Sequence, residues 1–579
     1  MRKIFFLAFL VSIIPFQLSN ACTNYLVTRG ASADGSVMIT YAADSHIRYG
    51  ELYFRQGGKH APGSMVKIYD RGTHKYLGEI PQVAETYTVI GFMNEHQVAI
   101  GETTFDGISK LHDTTGILDY GSLMFLAMER SKTAREAIAV IAQLVEEYGY
   151  YSSGESFSIA DKNEAWIMEI IGKGTNMQYD RKNKSWYNAN KGAVWVAIRI
   201  PDGYVSAHAN QARITNFPLE NGVSSISSLN LDKIHQPSVE VVYAYDVIKV
   251  ARENGLFKGD DKSFSFSDVY NPISFDGARF CESRVWCMFR EVADGMDAYL
   301  DYALGKNLKN RMPLYVKANR KLTPSDLMGF KRNHFNGTDY DMAVDAGAGP
   351  YSLPYRWRPL TWSVDSVKYF HERTTVTQQT AFSYVAHLRS WLPNHIGGIF
   401  WFGVDDAGST VYVPMYAGLT QAPYPYAEGN GSIIEYSPDA AFWTFNKVAN
   451  FAYLRYDLMI QDIRIVQSEL EKMFADYVPV IDKAALELYE TNPELSRRFV
   501  SDFSTRMADY TVDRWEALYQ FLMVKYIDGN VKKSENGKLL TNKYGRYPIV
   551  TFPGYPEWWL RMIVESSGDK FRLPDTDSH

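Results

Sequence analysis

Cysteine is scarce in this chain, with three in 579 residues: Cys22, Cys281 and Cys287. That excludes a disulfide-stapled scaffold. Cys281 and Cys287 are open to two readings, a bond in an oxidising compartment or two buried thiols. No long basic run is present and the net charge is −6, so nucleic acid is not an expected partner. Beyond residue 21 no apolar stretch is long enough to span a bilayer, so no stable membrane insertion is expected once the leader is gone. The 12 histidines include no His-Glu-x-x-His pair and no other zinc-ligand spacing, which argues against a metallopeptidase; neither a metal nor a cofactor is implied. Asp339, Asp341 and Asp345 lack the glycine spacing of a calcium loop and read as a solvated turn.

What is present begins at the N-terminus. Arg2 and Lys3, an apolar run from Ile4 to Phe16 and then Ser19-Asn20-Ala21 have the form of a secretory leader over 1–21, cut after Ala21. Such a cut makes Cys22 the first residue, with a thiol and a free α-amine on one residue. The amine then acts as general base for its own side chain. A competing reading makes Cys22 the acylated anchor of a lipoprotein, although Leu18 stands one place too far out for the usual lipobox. The expected location is periplasmic or secreted, in a bacterium. The 40 tyrosines and 12 tryptophans also suit a glycan-binding surface, but they are spread along the whole chain, as core packing requires.

Hairpin signals fill the first half. Asn24–Arg29 and Val37–Ala42 flank the turn Ala33-Asp34-Gly35-Ser36, and their pairing carries Asp44 back beside Cys22. Further pairs are expected at Tyr87–Met93 with Gln97–Thr103, Ser156–Ala160 with Ala165–Ile170, and Val194–Ile198 with Tyr204–Ala207. Ser122–Arg130 and Ala137–Glu147 have helical spacing, the second behind a Thr133–Glu136 capping box. Helices are also expected at Val239–Asn254 and from Arg284 to Glu291. Thr374–Leu392 and Gly397–Val413 return to strand–helix–strand character, and Ala440–Asp528 reads as mostly helical, long and amphipathic. The Pro-, Tyr- and Gly-rich stretch Pro423–Ser437 marks a boundary, giving a core over 22–430 and a mainly helical region over 431–579.

An ordered set of motifs then becomes specific. Cys22-Thr23-Asn24, the Ala33–Ser36 turn and the strand ending at Asp44 come first. Asn94-Glu95-His96 leads to Gly101-Glu102-Thr103, and Glu164–Glu169 follows. Trp195-Val196-Ala197 leads to His208-Ala209-Asn210-Gln211-Ala212-Arg213, and Ser283-Arg284-Val285-Trp286 closes the series. This order, spread from Cys22 to about Pro414, resembles the cysteine dipeptidase A family, which includes the secernins, among the N-terminal nucleophile hydrolases. The resemblance implies an α+β fold: a four-layer αββα sandwich with a helical C-terminal extension. It also implies an exported dipeptidase working through a thioester on Cys22. Asp44 is implied to hold the amine or thiol, and Asn210 to donate to the oxyanion. Asn94 is either a second donor or an ordinary turn residue. Arg284 either favours the thiolate or pairs with Glu282 or Glu291. Glu102, Glu169 and His208 stand beside the motifs as candidates for binding the substrate's α-amine or carboxylate. Relatives often carry arginine three residues before the aspartate; this chain has Tyr41. The alternatives are an N-acyl amino acid amidase of the bile-salt or penicillin V acylase type, and a surface lipoprotein binding glycans or peptides. A dipeptide or small amide is the expected partner, and an oligomer is compatible with the sequence.

Overall fold

The computed structural model describes residues 22–357 and 359–574; the expected leader lies outside them. Among the described residues two large sheets carry the fold. The first has seven strands, in the spatial order Tyr315–Lys317, Tyr204–His208, Asn24–Val27, Val37–Asp44, Thr380–Leu388, Gly398–Val404 and Val413–Tyr416. The second has nine. Its centre runs Ala193–Arg199, Ala165–Gly172, Gly154–Ala160 and Ala99–Asp106, all antiparallel. Central strands such as Gly154–Ala160 and Ala165–Gly172 are buried at every position, and a sheet covered on both faces needs that pattern.

The two sheets are tied face to face by polar bridges. His208 of the first sheet meets Thr103 Oγ1 and Ser158 Oγ of the second, each at 2.7 Å. Tyr384 OH donates to Ile100 O at 2.7 Å. At Gly101 the sheets come so close that an added Cβ would stand 3.2 Å from Thr40 O and 2.8 Å from Asn24 Nδ2, so a side chain here would force them apart.

Helices Tyr120–Arg130 and Ala134–Tyr148 pack beside the second sheet, and Ser283–Val292 and Pro324–Lys331 beside the first. Thr133 caps its helix through Glu136 N, but Glu136 Oε2 turns to Lys132 N, so only half of the expected capping box forms. The C-terminal helices Ala441–Ala452, Tyr456–Thr491 and Pro493–Tyr526 join the same apolar core, with Phe445 stacked on the fully buried Trp515. This is a mixed α+β fold with a helical C-terminal region.

Three local expectations need correction. Ala193–Arg199 and Tyr204–His208 are both strands, but they belong to different sheets. The Pro201-Asp202-Gly203 turn carries the chain from one sheet to the other, and turn chemistry alone does not specify which sheet receives the next strand. Val239–Asn254 is not one helix: Val241–Tyr243 extends the second sheet, and only Val247–Glu253 is helical. Three consecutive buried apolar residues satisfied a helical pattern that the open sheet edge claimed instead. The Tyr87–Met93 strand is broken into Val89–Ile90 and Met93–Asn94 by Gly91, which has a positive φ of 58° and a Phe400 ring where a Cβ would sit. Cys281 and Cys287 are separate buried thiols.

Candidate active site

Cys22 stands at the start of the first sheet's central strand and is only 2% exposed. Antiparallel pairing of Leu26 with Ile39 and Val27 with Met38 runs the second strand back to Asp44, as the turn spacing predicts. The Asp44 backbone N–H reaches the thiol. Asp44 Oδ1 accepts from Thr380 Oγ1 at 2.6 Å, while buried Oδ2 has no hydrogen-bond partner among the described residues. Burial pushes the Asp44 carboxyl up, against the pull of Lys331, Thr380 and the nearby arginines.

Asn210 approaches from the strand end at His208. It adopts a positive φ of 62°, a conformation asparagine tolerates better than most residues. Its Oδ1 accepts from the Cys22 backbone nitrogen at 3.2 Å, and its Nδ2 donates to Thr104 O at 2.8 Å. Arg284 fixes that orientation, because a guanidinium only donates: Nη2 binds Asn210 Oδ1 at 2.9 Å and Ala209 O at 3.0 Å. The same side chain gives Nη1 to Cys22 O and Thr23 Oγ1, both at 2.7 Å, and Nε to Phe280 O. Arg284 therefore clamps together the backbone at Cys22 and at Ala209. Neither expected acidic partner pairs with it: Glu282 is bound by Arg213 at 2.9 Å, and Glu291 accepts from Asn333.

Glu102 lies on the other side of the thiol. Its Oε1 is 3.9 Å from Cys22 Sγ and accepts from Tyr41 OH at 2.6 Å. The position where relatives often carry arginine thus enters the site through Glu102. Burial pushes the Cys22 thiol well up, reinforced by Glu102 and then Asp44, so the thiol is held neutral. A neutral thiol needs a base at the moment of attack.

The remaining candidates are placed elsewhere. Asn94 spends both amide hydrogens on Met128 O and Ser131 O and accepts from His96 N and Val98 N, all within 2.9 Å. It closes its turn and caps a helix end, with no hydrogen left for an oxyanion. His208 has both ring nitrogens on hydroxyls, and burial lowers it to about 3, so it is a neutral bridge between sheets rather than a substrate ligand. Glu169, pushed up to about 7 by burial, accepts from the backbone N–H groups of Arg213 and Ile214. It fixes the loop that carries Asn210 and does not meet the thiol.

Two residues were missed by the sequence reading. Lys331, wholly buried, donates to Thr23 O at 2.6 Å and is lowered to about 8 by burial, with Asp44 and Cys22 holding it up. Glu155 stands opposite Thr104 in the register of the second sheet, diagonally beside Glu102 on the same face. Thr104, Glu155 and Asn210 all line a cavity of about 690 Å³, a size suited to a small molecule. Among the described residues no helix is long and apolar enough to cross a membrane.

Comparison with known proteins places the chain in a family. The model of peptidase family C69 matches residues 60–469. A "Probable dipeptidase B" of Streptococcus pyogenes serotype M1 is 22% identical over 524 residues, covering 87% of this chain and 92% of that protein. A "Probable dipeptidase B" of Lactococcus lactis subsp. lactis (strain IL1403) is 23% identical over 472 residues, 78% of this chain and 85% of that one. A "Probable dipeptidase" of Salmonella dublin is 21% identical over 440 residues, 72% and 85% respectively. The family match spans Glu102, Glu155, Asn210, Arg284 and Lys331, and the chain belongs to peptidase family C69.

Proposed function

We propose that this protein is an exported cysteine dipeptidase whose nucleophile is Cys22, freed as the N-terminal residue by cleavage after Ala21. The observation that carries the reading is the contact between the Cys22 nitrogen and Asn210 Oδ1 at 3.2 Å, beside a thiol aimed at Glu102. Cleavage turns that nitrogen into an α-amine already held by an acceptor. With an ordinary pKa of about 7.7–8.0, such an amine takes the thiol proton at neutral pH. Sγ attacks the peptide carbonyl, the C–N bond breaks, and the α-ammonium returns its proton to the departing amine. Water then hydrolyses the thioester, with the same amine as base.

The supporting groups fall into two sets. Arg284 and Lys331 pin the carbonyls of Cys22 and Thr23, fixing the nucleophile's strand. Asp44 Oδ2 is the acceptor that steadies the α-ammonium when it forms. Asn210 acts first on the amine through Oδ1, and its amide is the donor proposed for the oxyanion. We read the two facing sheets flanked by helices as the αββα sandwich of an N-terminal nucleophile hydrolase, with 22–430 as its core and 431–579 as an added helical region. The burial of Cys22 favours this reading over a lipid anchor, which needs an exposed, tethered cysteine. The names of the relatives favour dipeptides over N-acyl amino acids. The test is a panel of free dipeptides, glycine conjugates and penicillin V with the mature protein and its Cys22→Ala variant. Release of amino acids from dipeptides alone, lost in the variant, is expected; release unaffected by the substitution would overturn the nucleophile.

A further inference from the structure

Glu102 and Glu155 form an unusual pair. Both are buried, at 2% and 1% exposure, and Glu155 lines the cavity. Glu102 Oε1 faces Tyr41 OH and the thiol, and Glu155 Oε1 accepts from Thr104 Oγ1 at 2.7 Å. The second oxygen of each carboxyl, Oε2, has no donor among the described residues. The two carboxyl groups lie against one another, and burial pushes both up. Two buried acids side by side are unfavourable for folding alone; a cation between them removes the cost.

We propose that Glu102 and Glu155 are the subsite for the free α-ammonium of the substrate's N-terminal residue. The proposal rests on the reading of Cys22 as nucleophile and adds how the substrate class is chosen. In a dipeptide the ammonium is two bonds from the carbonyl carbon under attack. A carbon about 3–3.5 Å from Sγ in a near-attack pose brings that ammonium within reach of a carboxylate oxygen 3.9 Å from the same sulfur. The surrounding charge agrees: Asp70, Asp106, Glu155 and Asp276 line the cavity with Arg373. The acids outnumber the arginine along the lining, and Arg71 and Arg48, which pull Glu102 down, stand beyond ion-pair distance of it. An acylated amine brings no charge and leaves the carboxylate buried and unpaired, so N-acyl substrates are rejected.

The test is steady-state kinetics of the mature wild type and Glu155→Gln on L-Ala-L-Ala and N-acetyl-L-Ala-L-Ala. The wild type is expected to cleave the free dipeptide and to cleave the acetylated one at least about 100-fold less well. Glu155→Gln should lower kcat/KM on the free dipeptide about 10- to 100-fold, chiefly through KM, the loss of one charge-assisted hydrogen bond. Its rate on the acetylated substrate should not fall. A merely structural Glu155 would lower both alike, and that result overturns the proposal, as does a wild type indifferent to acetylation. Cleavage of neither substrate would instead overturn the dipeptidase reading, and this one with it. If the variant does not fold, competition in the wild type decides: n-propylamine should inhibit dipeptide cleavage competitively and N-propylacetamide should not, and equal potency overturns the subsite.

Discussion

Two buried glutamates in this molecule have opposite surroundings. Glu282 faces Arg213 at 2.9 Å, and that arginine spends its other donors on the carbonyls of Ala207, Pro313 and Leu314. The charge of Glu282 is balanced within the protein by direct contact with an arginine, so the pair is closed to a charged ligand. Glu102 meets a second carboxyl, a tyrosine and a neutral thiol, and leaves an oxygen without a donor among the described residues. The residue type and the degree of burial are alike; the difference is that Glu282 has an arginine in direct contact, whereas Arg71 and Arg48 act on Glu102 from beyond ion-pair distance. One arrangement holds a loop against a helix, and the other awaits a positively charged group.

The comparison sharpens most at the thiol. Cys22→Ala removes the proposed nucleophile beside Glu102 and should lower turnover by about 10⁴–10⁶-fold, with the thermal midpoint barely moved; kcat on a dipeptide and a melting curve check both. Asn210→Ala should come next, lowering kcat about 10²–10³-fold. A change confined to KM would make Asn210 a substrate-positioning group.

On the closed side the readout is stability. Glu282→Ala strands a buried guanidinium and should cost about 3–5 kcal/mol, seen as a lowered urea midpoint. Glu155→Gln should leave that midpoint unchanged or raise it, because it removes one of two facing acids. Equal destabilisation by the two substitutions would break the comparison.

The smallest effect is in pH. Burial holds the carboxyls of Glu102 and Glu155 above their ordinary range, so the folded state binds protons that the unfolded chain has released. Their contribution to stability is present at acid pH. It fades as pH rises above about 4.3, where unfolded glutamate ionises, with a slope of at most about 1.4 kcal/mol per pH unit per proton. Glu155→Gln should flatten this decline in urea midpoints measured between pH 4 and 8; an unchanged slope would mean that the pair is not protonated.

Much of the site was legible because it is local or repeats a motif. The Asp34-Gly35 turn sets the strand pairing, and that register alone returns Asp44 to Cys22. Asn210 and Arg284 stand in an ordered series of motifs that runs from Cys22 to about Pro414. Lys331 and Glu155 were hidden, since each reaches the site by pairing or packing across distant segments. Gly154–Ala160 reads as a core strand, and only its register against Ala99–Asp106 turns Glu155 into a neighbour of Glu102. The inverse error has the same origin: His208 and Asn94 carry suggestive chemistry in sequence, but the fold uses all their hydrogen bonds internally. The strand Tyr204–His208 was legible as a strand, while its transfer to the other sheet depends on contacts some 180 residues away in the chain.

The account depends most on the identity of the first residue. The intact mass and N-terminal residue of the protein recovered after export test it directly. A chain beginning at unmodified Cys22 is the predicted result, placing a free amine on Asn210 Oδ1. A lipid adduct on Cys22, or a start at any other position, would remove the base or the nucleophile and contradict the account.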